Sequence, residues 1–144
     1  MNDMTSEATR TKYPGMRGGE TRVMQQWLRI HESEFDSFAY NVRIGVARDP
    51  GPAFTDAVRR SAMLCSQLRM DCVASKGKQS TLIELKNWAF SKAVQQLALY
   101  GAVWRMDFPE LPPPALLQVC RVADASAWTS APAAHVTIEE LGIG

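Results

Sequence analysis

The chain has 144 residues, 46% of them hydrophobic and 22% charged, with a formal net charge of +1. That size and balance suit one compact soluble globular domain able to bury a real core. So small a net charge gives no sign of nucleic-acid binding through bulk charge, and any such contact must come from a local basic rim or a bound metal.

No apolar stretch nears the roughly 20 residues needed to span a bilayer, so no membrane partner is expected. Residues 1–17 are polar and turn-rich and read as a flexible N-terminal arm without the apolar centre of a secretory leader. A helix follows Gly18-Gly19, with Val23, Trp27, Leu28 and Ile30 as its apolar stripe and Met24 and His31 at the margins. His31 reads as a surface residue at the helix end rather than a ligand. Residues 35–45 alternate as a strand in which Phe38, Tyr40, Val42 and Ile44 share a face. Arg48-Asp49-Pro50-Gly51-Pro52 is a turn.

A second helix is predicted over 53–65, with Phe54, Ala57, Val58, Met63 and Leu64 on its apolar side and Arg59 and Arg60 toward the other. Those two arginines, with Arg43 and Arg48, are the candidates for a phosphate-contacting patch, although solvated faces are the commoner role of such residues. Two apolar strands around Asp71 and around Glu84 then flank a turn at 75–78. A helix is predicted over 91–106, and the prolines at 109 and 112–114 make a rigid connector. Residues 116–122 read as a buried strand. Trp88 and Trp104 could stack a splayed base, packing being the commoner role. Residues 124–144 read as a C-terminal tail holding one helical turn. The three cysteines, Cys65, Cys72 and Cys120, lack metal-ligand spacing and lie in apolar segments, as reduced core residues in a cytoplasm-like compartment would.

The chemistry concentrates in the central hairpin. Alternation puts Glu84 and Lys86 on one face of their strand, with Ile83 and Leu85 on the other. The hairpin brings Asp71 alongside Glu84, so two carboxylates and an ammonium converge at one sheet edge. Both strands are otherwise apolar, and a charge inside such a run is costly unless it is paired or binds a metal. Two hard oxygen ligands can hold Mg²⁺ or Mn²⁺, and a lysine beside them can position a water and offset charge on a phosphate. Lys86 beside Glu84 favours the ionised carboxylate, which argues against a glycosidase-like acid pair. On the helix that follows, Gln96 and Tyr100 are spaced i, i+4 and look out from one face.

Asp71, Glu84-x-Lys86 and Gln96-x-x-x-Tyr100, in that order, resemble the PD-(D/E)XK nuclease superfamily and its RecB-like branch, over roughly positions 18–123. The Pro that names the motif is absent before Asp71, where Arg69-Met70 stands, and no His accompanies the first-helix acid. The resemblance implies an α/β fold with an αβββαβ restriction-endonuclease-like core, here with one inserted helix, and a mixed sheet flanked by helices. It implies a metal-dependent nuclease hydrolysing DNA. Asp71, Glu84, the Leu85 carbonyl and Glu20 would serve a Mg²⁺ or Mn²⁺ ion, Lys86 would position the water, and Gln96 and Tyr100 would orient Lys86 or the phosphate. Glu20 is the best match for the family's first-helix acid, with Glu32 and Glu34 behind it. The expected setting is the cytoplasm, or a virion if the chain is phage-encoded. Two alternatives stand beside this. One is a structural component of a phage virion (neck, connector or head completion) that grips virion proteins or sister subunits through its terminal arms without catalysis. The other is a DNA-binding accessory protein whose binding is salt-sensitive and persists without metal.

Overall fold

A computed structural model of the chain describes residues 6–142. The fold is α/β: a mixed five-stranded sheet with helices on both faces. In chain order the elements are α1 (Gly18–His31), β1 (Ser37–Ile44), α2 (Asp56–Ser66), β2 (Leu68–Lys76), β3 (Gln79–Ala89), α3 (Ser91–Asp107), β4 (Ala115–Ala123), α4 (Ala125–Ala134) and β5 (Val136–Glu140). The strands lie side by side in sequence order. β1, β2 and β3 are antiparallel neighbours, whereas β3, β4 and β5 run parallel. The parallel pairs require crossovers, and α3 and α4 supply them. The αβββαβ order with a helix inserted between the first two strands is therefore present, extended by α4 and β5.

The sheet separates two cores. On one face α1 buries Val23, Met24, Trp27 and Leu28 against Cys72, Ala74, Ile83, Leu85 and Val119. These helix positions recur every three or four residues, as one face of a helix must. Ile30 falls off that face and is exposed. On the other face Val94, Leu97, Tyr100 and Trp104 of α3 pack with Ala127 and Ala131 of α4 over Met70, Val73, Leu82 and Cys120. The hairpin between β2 and β3 closes in two residues, with Gly77 in the left-handed region (φ +57°) that glycine enters without steric cost.

Four sequence expectations need correction. Residues 6–17 are not a loose arm: Ala8 and Tyr13 are buried in the α1 core. Ser6 Oγ donates to Glu32 Oε2 at 2.7 Å, Gln25 Nε2 donates to the Arg10 carbonyl at 2.7 Å, and the Arg10 guanidinium lies 5.0 Å from the centre of the Tyr40 ring. Residues 1–5 of the expected arm lie outside the described residues. The expected tail likewise forms α4 and β5, with only 143–144 outside the described part. Asp124 caps α4 by accepting from the Ser126 amide at 2.9 Å, and β5 extends the sheet along β4.

The third correction concerns α2, which buries no residue. Phe54 beside it and Val58 and Leu64 on it are exposed, as is Cys65; Cys72 and Cys120 are buried, and all three thiols are free. The fourth is β1, whose alternating residues do not share a face. Phe38 and Tyr40 pack in the α1 core, whereas Val42 and Ile44 pack in the α3 core. Asn41 lies between them with φ +54°, and this left-handed residue turns the strand over. Among the described residues, no helix is long and apolar enough to cross a membrane.

Candidate active site

The kink in β1 is matched in β2. Met70 packs on the α3 side and Cys72 on the α1 side, although alternation alone would give them one face. The two strands pair at Tyr40–Cys72 and again at Val42–Met70, stepping over Asn41 and Asp71. β2 and β3 pair from the turn only as far as Cys72–Ile83. Beyond that point β2 leaves with β1 and β3 leaves with β4, so the sheet forks. Asp71 and Glu84 are the first residues past the last rung.

Their side chains replace the missing ladder. The Leu85 amide donates to Asp71 Oδ2 at 2.9 Å, and the Asp71 amide donates to Glu84 Oε1 at 3.3 Å. Each carboxylate thus uses one oxygen on the opposite strand's backbone. A residue in a strand turns its N–H and C=O to the same neighbour, so the Leu85 carbonyl also faces the fork. The Glu84 carbonyl faces β4 instead, where the buried Gln118 donates to it at 3.1 Å.

A cavity of about 330 Å³ opens at the fork, lined by Gly15, Arg17, Glu20, Arg69, Asp71, Glu84, Lys86, Gln96 and Tyr100. All six residues expected to be catalytic line it. Glu20 comes from the first turn of α1, on one face of the sheet, where its carboxylate also favours the positive end of the helix dipole. Gln96 and Tyr100 come from α3 on the other face. Only where the strands part can side chains from both faces meet.

The electrostatics match that convergence. Burial raises the Asp71 carboxyl; the Leu85 amide pulls it back, and the Glu20 charge pushes it further up. Glu84, 4% exposed, is pushed up to about 8, first by burial and then by the Asp71 charge beside it; these outweigh the lowering by Lys86, so the expectation that Lys86 keeps this carboxylate ionised is overturned. Burial and the same two carboxylates hold the Tyr100 phenol well above its usual range, so it is a neutral donor at any physiological pH. A positive charge placed among these carboxyls would lower both.

Two cavity arginines were missed from the sequence. Arg69 is two residues before Asp71, and strand alternation could have found it. Arg17 lies three residues before Glu20, whose Oε2 accepts from the Arg17 amide at 3.4 Å. Gly15 admits no side chain: φ is +79°, and a Cβ there would lie 2.7 Å from Asn41 Oδ1.

Of the expected phosphate-contacting arginines, none lines the cavity. Arg43 pairs across from Arg69 on the neighbouring strand, but its guanidinium donates to the Leu64 carbonyl of α2 at 2.8 Å. Arg59 is held by Asp49 through two hydrogen bonds of 2.6 and 3.0 Å, which bring the Asp49 carboxyl down to about 2. Arg48 and Arg60 are exposed. His31 is not an isolated surface residue: its ring lies between Glu34 (2.5 Å) and Glu139 (2.7 Å), and Glu139 also accepts from Trp27 Nε1 at 3.1 Å.

The donor types suit a hard divalent cation, but among the described residues no three His, Cys, Asp or Glu side chains stand close enough together to hold one as they are placed. Asp71, Glu84 and Glu20 supply carboxylate oxygens and Leu85 a carbonyl, the chemistry Mg²⁺ and Mn²⁺ select. Among the described residues, no soft sulfur or imidazole ligand lines the cavity.

No family model matches this sequence, and no curated protein matches it. One solved structure to which the chain is similar is described as the crystal structure of a protein of unknown function, AF1548. The TM-score is 0.44 at 15% identity, and the match covers 81% of this chain and 56% of that one, so the chain spans little more than half of its length.

Proposed function

We propose that this chain is a metal-dependent nuclease that hydrolyses DNA phosphodiester bonds. The observation that carries the reading is the forked sheet. It brings Asp71, Glu84 and Lys86 into one cavity with Glu20 from α1 and with Gln96 and Tyr100 from α3.

Asp71 and Glu84, with the Leu85 carbonyl and Glu20, would hold Mg²⁺ or Mn²⁺. When bound, such an ion polarises the phosphate and makes water a competent nucleophile at neutral pH. The remaining chemistry belongs to side chains. The Lys86 ammonium orients the attacking water toward phosphorus and offsets the charge that builds on the phosphoryl oxygens. Tyr100 donates its phenolic proton as a hydrogen bond, and Gln96 one turn earlier steers Lys86 or the phosphate. Arg17 and Arg69 extend positive charge along the rim, where flanking phosphates would lie. The free thiols, Cys65 among them exposed, suit a reducing cytoplasmic compartment.

The alternative of a virion component without catalysis keeps its own test, a symmetric ring of copies in solution, since residues 6–17 and the elements α4 and β5 are ordered on the chain's own fold.

The test is cleavage of linear, nicked and single-stranded DNA in Mg²⁺ or Mn²⁺ by the wild type, Asp71→Ala and Lys86→Ala. Metal-dependent cleavage is expected, with each variant slower by roughly 10²–10³-fold or more. A folded wild type that cleaves none of these in either metal would overturn the proposal.

A further inference from the structure

The row that carries Glu84 and Lys86 does not stop at the cavity. Alternation along β3 puts Trp88 on the same face, and Phe90 continues the row just past the strand's end, where it caps α3. Both rings are exposed, Trp88 by 56% and Phe90 by 51%, and they stack on one another with 12° between planes and 6.4 Å between centroids. Trp104, by contrast, is buried in the α3 core. Lys92 follows in the first turn of α3. Lys86, Trp88, Phe90, Lys92, Ala93 and Gln96 line a second cavity of about 350 Å³, which shares Lys86 and Gln96 with the first.

Two parallel aromatic rings in water, with a lysine at each end and no acid in the lining, fit a ligand that is planar, apolar on its faces and anionic at its edge. A nucleotide has that chemistry. The base of a duplex is stacked between its neighbours and offers no face, so an aromatic platform can engage only an unpaired base. Four residues of strand separate Glu84 from Trp88, roughly 13 Å, which an extended strand crosses in about two nucleotides. Continuity with the first cavity fixes where the rest of the strand goes.

We infer that Trp88 and Phe90 form a base-stacking subsite, so that the proposed nuclease takes single-stranded or end-frayed DNA. One base lies on the aromatic pair, its phosphate contacts Lys92, and the chain runs past Lys86 to the fork. The inference rests on the nuclease reading for what happens at the fork, but the binding itself does not depend on turnover.

The test is fluorescence anisotropy with a labelled single strand of about 12 nucleotides and a duplex of the same length. Ca²⁺ replaces Mg²⁺, so that binding is read apart from cleavage. The proteins compared are the wild type, the double variant Trp88→Ala/Phe90→Ala and Trp88→Phe. The double variant is expected to lose roughly 10- to 100-fold in affinity for the single strand while its duplex affinity holds, and Trp88→Phe to recover most of the loss. Both side chains are exposed, and circular dichroism checks that the variants stay folded. Single-strand affinity unchanged in the double variant, or an equal loss for single strand and duplex, would overturn the subsite. Cleavage by the same samples in Mg²⁺ separates the two claims. A wild type that binds single strands through the platform and cuts nothing sinks the nuclease and keeps the subsite. A double variant that cuts single strands with unchanged KM sinks the subsite and keeps the nuclease.

Discussion

Replacing Glu84 by Gln is expected to stabilise the metal-free protein at alkaline pH. Glu84 is buried beside Asp71, and its carboxyl is pushed from an ordinary 4.5 to about 8. Below pH 4.5 it is protonated whether the chain is folded or not, and it contributes no pH dependence. Between 4.5 and 8 the unfolded chain has released the proton while the folded chain retains it. Folding then takes up a proton, and stability falls as pH rises. Above 8 both states are ionised and the full cost is present. A shift from 4.5 to about 8, at 1.36 kcal/mol per unit, sets that cost near 5 kcal/mol, and relaxation around the fork brings it to roughly 2–5 kcal/mol. With a urea slope of about 2 kcal/mol per molar, the wild-type midpoint should drop by about 1–2 M between pH 5 and pH 9 in EDTA. Glu84→Gln keeps the shape, removes the charge and should flatten most of that slope. Mg²⁺ or Mn²⁺ at pH 9 should restore the wild type and leave the variant where it was. Midpoints that vary identically with pH in both proteins, with no response to metal in either, would refute the reasoning.

The remaining predictions concern the scaffold. Burial alone would lower the His31 imidazole, but its hydrogen bonds to Glu139 and Glu34 outweigh that and raise it above 6.5. Its stabilising contribution is therefore complete below the unfolded value and lost as pH rises through the folded one. A ring-proton NMR titration should place its midpoint above that of the unfolded chain, and a midpoint at or below 6.5 would contradict the two-carboxylate geometry. At Asn41, φ +54° suits Asn or Gly and penalises a β-branched residue. Asn41→Val should cost about 1–2 kcal/mol by thermal unfolding and Asn41→Gly much less; equal costs would show that the kink is not what the position requires.

The sequence is most informative where the chemistry is dense. Glu84-x-Lys86 and Gln96-x-x-x-Tyr100 each lie on one element, so their shared faces follow from period two and period 3.6 without any knowledge of the fold. Asp71 adds only a hairpin, and Gly77 announces that. Arg17 and Glu20 are harder, because they reach the fork from the opposite face of the sheet and nothing local says which end of α1 faces it. The kink at Asn41 is invisible to alternation, since a single left-handed residue reverses every face after it. α4 and β5 were hidden for two reasons. Pro132 breaks the helical pattern without ending the helix, and a five-residue strand with two alternating apolar residues is too short to show a period. The N-terminal segment folds through Tyr13 and Ala8, two apolar residues in a polar run whose partners are distant in sequence.

β1 is an outermost strand of the sheet, with β2 on one side only. A straight strand there would offer an unbroken row of unpaired amides and carbonyls, the template on which identical chains add edge to edge. The left-handed turn at Asn41 interrupts that row midway and twists its two halves onto different faces. The backbone irregularity beside the fork therefore also discourages self-association, and a variant that straightened β1 would put solubility at risk together with the shape of the cavity.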